Sequence, residues 1–139
     1  GTMTVQYDTS PIPDTTYQQF GTIYCQFDLD CVVLENGKIV PADHRVHCMP
    51  ATTQGFLALR WIAAAWLQRL VFRVGFSQTR NQDNVVTYQL TLKSEMQGEH
   101  GWPDNTYWRR LYDDCKSTGV SPTILQNYNP EYDTLPVSN

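Results

Sequence analysis

Apolar residues hold every odd position from Ile23 to Val33, and most even positions between them are polar. Side chains of a strand alternate between its two faces, so this run predicts a β-strand over Gly21 to Leu34 with one buried face. Asn36-Gly37 follows it and is a strong hairpin signal, because both central residues of a type I′ turn take positive φ. A two-residue turn there would pair Glu35 with Lys38 and set Cys25 opposite Cys48. The core face of the return strand would then be Val40, Ala42, His44, Val46 and Cys48. Pro41 cannot donate to a ladder, which places the return strand at an edge or gives it a bulge.

The period changes at Thr52-Thr53-Gln54-Gly55, where a threonine is the expected N-cap of a helix running to about Leu70. Phe56, Leu59, Ala63, Leu67 and Leu70 form one stripe, widened by Leu57, Trp61 and Ala64. A helix apolar over most of its girth is expected to be central and buried. Two further alternating runs, Val71 to Thr79 and Val85 to Glu95, predict a second hairpin. Trp108, Leu111, Tyr112 and Cys115 then recur at helical spacing, with Pro103 at the entry and Gly119 as the stop. These elements read as an α+β fold: an antiparallel sheet of about four strands (β-β-α-β-β-α), a buried central helix and a C-terminal helix. Residues 1–18 read as a loose N-terminal segment outside the core, 19–119 as a single domain, and 120–139 as an extended tail punctuated by proline.

A length of 139 residues fits one domain with a full core. Ten basic against 14 acidic residues give a net charge of −4, which argues against a nucleic-acid partner. No apolar run is long enough to span a membrane. The N-terminus lacks the pattern of a signal peptide, and Gly1-Thr2 ahead of Met3 reads as an added scar. Four cysteines are too few for a disulfide framework in a chain of this length, so a cytoplasmic protein with reduced thiols is expected. No cofactor is expected, and no nucleotide-binding, hydrolase, zinc-protease or calcium-loop signature is present.

Four groups could carry chemistry. In the register above, Asp30 faces Asp43 and Asp28 faces Arg45, with Gln26 opposite His47, all pointing away from the core. Opposed carboxylates on a hairpin are unfavourable, which suits a basic partner, a divalent ion or compensation by Arg45; the plainer reading is a solvated face with a register slip at Pro41. His44 and His47 lie near Cys48, but their odd spacing sends them to opposite faces, so no metal site is expected. His44 is expected to be partly buried and His47 exposed. Cys25 and Cys48 suit either a bridge or a small apolar core layer. Last, Trp102, Tyr107, Arg109 and Arg110 are of the types that anchor interfaces, and are expected at the surface.

Together these features point to a small non-catalytic protein that binds another protein. In size, charge and β-β-α order the chain resembles bacterial immunity proteins. That resemblance implies a basic toxin domain as partner, held through Asp28, Asp30, Asp43, Arg45 and His47 or through Trp102, Tyr107, Arg109 and Arg110. The alternatives are a self-associating viral or phage accessory protein, and an enzyme with a carboxylate site at Asp28, Asp30 and Asp43.

Overall fold

The structure, a computed structural model, describes residues 1–13, 15–77, 82–121 and 135–136. Alternation in the first part of the chain builds five strands: β1 (Thr2–Asp8), β2 (Thr22–Leu29), β3 (Val32–Val33), β4 (Ile39–Val40) and β5 (Asp43–Pro50). Helix α1 (Thr53–Leu67) follows, then β6 (Phe72–Ser77), β7 (Gln82–Tyr88), α2 (Tyr107–Thr118) and β8 (Leu135–Pro136). The fold is α+β with antiparallel sheets and two helices, as the periodicity predicts.

The composition of the main sheet differs from expectation. Its order is β5-β2-β1-β8, while β3–β4 and β6–β7 are separate two-stranded ribbons. The N-terminal segment, expected to lie outside the core, is an internal strand with seven ladder pairs to β2. Met3 and Ile12 are fully buried. Met3, Val5 and Tyr7 alternate with Thr2, Thr4, Gln6 and Asp8, so the strand period is present locally; pairing with β2 places it inside the sheet. From the tail, Leu135 and Pro136 pair with Met3 and Thr2.

The hairpin register is one residue away from the expected one. Leu34 N–H donates to Lys38 at 2.8 Å, so the loop is Glu35-Asn36-Gly37, with Gly37 alone of the three at positive φ (80°). A three-residue loop with glycine in the left-handed position replaces the type I′ turn. Val32 therefore pairs with Val40, Cys25 with His47, Asp28 with His44 and Leu29 with Asp43. A slip of one residue exchanges the two faces of the return strand. Cys25 and Cys48 thus lie on opposite faces, and Asp30 does not oppose Asp43.

Thr52 caps α1 by accepting from Gly55 N–H at 3.1 Å. Ala58, Leu59, Ile62, Ala63 and Trp66 are buried, and Trp66 meets Phe27 of the sheet at 5.6 Å between ring centres. Trp61 and Leu67, expected to be mostly buried, are only partly so, because the helix turns its Ile62 side to the core. The helix also stops at Leu67, where Arg69 takes φ 61° and Leu70 N–H returns to Ala65.

Gly55 sits where α1 crosses the end of β5. A Cβ there would lie 2.0 Å from the Pro50 carbonyl oxygen. Alanine is the better helix former by about 1 kcal/mol, yet a backbone carbonyl cannot swing aside as a side chain can. Gly55→Ala is expected to destabilise by about 2 kcal/mol net, read as a lower urea midpoint at unchanged slope.

Candidate functional site

The outer edge of β5 is covered by the chain that follows β7. Cys48 N–H donates to the Lys93 carbonyl, Lys93 N–H donates to His47 Nδ1, and Trp102 Nε1 donates to the Cys48 carbonyl, all at 2.8–2.9 Å. Strand β7 ends at Tyr88, short of the expected Glu95, because residues 91–93 turn to these partners. Tyr107, at the start of α2, donates its hydroxyl to the Thr91 carbonyl at 2.7 Å and stacks on His47.

A buried cation sits behind this edge. Lys93 Nζ lies 2.6 Å from Asp104 Oδ2 and donates to the His100 and Gly101 carbonyls. Arg110 reaches the same carboxylate oxygen, and Thr106 donates twice to Asp104 Oδ1. Burial pushes the Asp104 carboxyl up, but the hydrogen bonds and charge of Lys93 and the Thr106 donors outweigh it, holding it near 2.

An open polar cleft of about 400 Å³ adjoins the network, lined by Tyr88, Gln89, Leu90, Thr91, Leu92 and Asp114. Asp114 projects from α2 into hydrogen bonds with Thr91: its Oδ2 accepts from the N–H at 2.9 Å and from the hydroxyl at 2.8 Å. Oδ1 has no partner among the described residues, so the carboxylate can accept from a ligand donor. The Arg45 guanidinium lies 5.1 Å from the centre of the Tyr88 ring. It is oriented by Asp43, which accepts from Arg45 Nε at 2.6 Å.

Sequence reasoning located many of these residues and misassigned several. His47, expected to be exposed, is fully buried, because the register brings it to the face that α2 covers. Burial, helped by the Lys93 charge, lowers its imidazole to about 3. His44 is the exposed histidine and pairs with Asp28 at 2.7 Å. Trp102 and Tyr107, expected at the surface, are buried. The spacing Tyr107, Leu111, Cys115 could have shown this, since all three are the buried positions of α2. Arg109 and Arg110 are exposed as expected, Arg110 lying against Asp104. Asp30 is exposed and meets the chain terminus at Gly1. The acidic candidates thus disperse: Asp28 to His44, Asp43 to Arg45, Asp30 to Gly1.

Among the described residues, no three His, Cys, Asp or Glu side chains come together to hold a metal ion. Burial pushes the Cys25 thiol well up, Cys48 to about 11 despite nearby Lys93, and Cys115 to about 12. These thiols stay protonated and are poor nucleophiles. Among the described residues, no helix is long and apolar enough to cross a membrane.

Residues 1–120 match the family described as the Deltex C-terminal domain. The chain belongs to that family. It is 29% identical over 115 residues to the probable E3 ubiquitin-protein ligase DTX3 of Homo sapiens, covering 76% of this chain and 33% of that protein. It is 34% identical over 85 residues to the E3 ubiquitin-protein ligase DTX1 of Mus musculus, covering 58% of this chain and 14% of that protein. Mouse DTX4, also named an E3 ubiquitin-protein ligase, is 30% identical over 80 residues, covering 54% of this chain and 13% of that protein. The chain therefore spans a third or less of the length of these relatives.

Membership in the Deltex family overturns the expectation of a toxin-neutralising immunity protein. Size, acidity and β-β-α order are shared by unrelated proteins and carry no family information. The expectation of a non-catalytic protein is corrected with it, because the relatives that the chain matches are named E3 ubiquitin-protein ligases.

Proposed function

We propose that this Deltex C-terminal domain serves in protein ubiquitylation as a recognition domain, holding what the ligase modifies. The family match over residues 1–120 carries this reading. The small share of each relative that the chain spans supports it, because most of each ligase lies elsewhere. The polar cleft is the recognition site in this reading: Asp114 and Thr91 supply directional hydrogen bonds, and Tyr88 with Arg45 supplies an aromatic wall.

The test joins this chain to DTX3 in place of the region it matches, and reads the proteins modified with ubiquitin in cells by remnant-peptide mass spectrometry. The chimaera is expected to modify a set of proteins that DTX3 lacking the region does not. Most of that set should be lost on Asp114→Ala in the cleft, while self-modification of the ligase persists. An identical set with and without the chain would overturn the proposal.

A further inference from the structure

Helices α1 and α2 leave an open groove between them. Leu57 and Trp61 form one wall, Trp108 and Tyr112 the other, and Ala58 and Leu111 the floor. Gln54 stands at its mouth. The lining is overwhelmingly apolar, yet Leu57 is 55% and Tyr112 44% exposed. The walls are stiff: Trp61 and Tyr112 meet edge to face at 5.5 Å, and Trp108 is braced by Trp102 at 5.1 Å. A volume of about 160 Å³ is enough for one bulky side chain, since an apolar cavity of about 150 Å³ holds benzene.

Charge around the groove is opposite in sign to that of the whole chain. Arg60 lies three positions after Leu57 on α1, and Arg109 three before Tyr112 on α2, so both flank the walls. Lys116 stands over the Tyr112 ring at 5.2 Å. Arg60 and Arg109 are exposed and make no ion pair among the described residues. Asp113 is the acidic residue on this stretch of α2; its neighbour Asp114 is engaged with Thr91. Three cations against one carboxylate rim an aromatic groove on a chain of net charge −4.

We propose that this groove docks an acidic peptide segment of a partner protein, with one bulky apolar side chain inserted between Trp61 and Trp108. The anchor removes exposed apolar surface from water. Its flanking carboxylates meet Arg60, Arg109 and Lys116, which speed encounter and set the direction of preference. The groove is distinct from the Tyr88–Asp114 cleft, and the proposal does not rest on the reading of that cleft.

The experiment uses two fluorescein-labelled peptides with a central Leu-Phe-Leu, flanked on both sides by glutamates in one and by lysines in the other. Anisotropy titration of this chain at low salt is expected to show binding of the glutamate peptide at least tenfold tighter than of the lysine peptide. The difference should shrink as salt rises. Indole N–H resonances of Trp61 and Trp108 should shift on titration. Leu57→Glu, at an exposed position, should weaken the glutamate peptide at least tenfold. Arg60→Glu combined with Arg109→Glu should abolish the preference between peptides, which a purely structural role would not do. Equal affinity for both peptides, absence of binding, or an unchanged preference in the arginine variant would each overturn the proposal.

Discussion

Lys93→Met is expected to lower the free energy of unfolding by about 3 kcal/mol. Lys93 is 5% exposed, and its ammonium meets Asp104 and the carbonyls of His100 and Gly101, filling its donor capacity. Methionine keeps the length and apolar stem but leaves those carbonyls without their donor. The cost falls at the low end of the range of about 3–5 kcal/mol for breaking a buried pair, because Asp104 retains Arg110 and Thr106. Asp104→Asn leaves the opposite charge buried, so the double variant should be less destabilised than the sum of the singles by at least about 1 kcal/mol. Urea unfolding of the four proteins measures this coupling. Strict additivity would mean that Lys93 and Asp104 do not interact as described.

Stability should fall steadily as pH drops from about 6.5 towards 3, by on the order of 3 kcal/mol at pH 4, through His47 alone. The sign follows from proton counting. In the folded protein the imidazole, buried against Tyr107 and beside Lys93, stays neutral down to about 3. In the unfolded chain it takes up a proton near 6.5. Between those limits the unfolded state binds more protons, so acid favours unfolding. The titratable groups that face this ring are Lys93 from the covering segment, Tyr107 from α2 and Cys25 from β2, and its Nε2 meets the Met49 sulfur at 3.3 Å. His47→Asn places an oxygen where Nδ1 accepts the Lys93 N–H, and removes the titration. Its unfolding free energy should be lower than the parent's at pH 7.5, yet flatter between pH 6.5 and 4.5. Equal pH slopes in parent and variant would show that the ring titrates normally in the folded protein.

The hairpin shows how near the sequence comes and where it stops. Alternation over Ile23 to Val33 identified β2, and Asn36-Gly37 located the turn. Neither could say whether two or three residues close the loop, because Asn-Gly serves both geometries. That single residue decides whether His47 faces solvent or α2, and so whether Asp30 meets Asp43. Helix α2 shows a different limit. Its period was plain, but two stripes, Trp108-Leu111-Tyr112-Cys115 and Tyr107-Leu111-Cys115, were both compatible with it. Packing of Tyr107 on His47 chose the second and left Tyr112 at the groove.

What the residue order determined by itself was local: the strand and helix periods, the Thr52 cap, the Gly119 stop and the antiparallel character of the hairpins. These depend on neighbours in the chain, within the reach of backbone sterics and short hydrogen bonds. The tertiary structure alone decided that the alternating segment at residues 2–8 lies inside the sheet, that β6 and β7 stay outside the main sheet, and that Lys93 is buried on Asp104. Each of these rests on contacts between residues distant in sequence: β1 with β2, Lys93 with His47, Asp114 with Thr91. A polar or weakly patterned segment has no local preference strong enough to declare such a role, and acquires it only when a distant partner satisfies its hydrogen bonds and covers it from water.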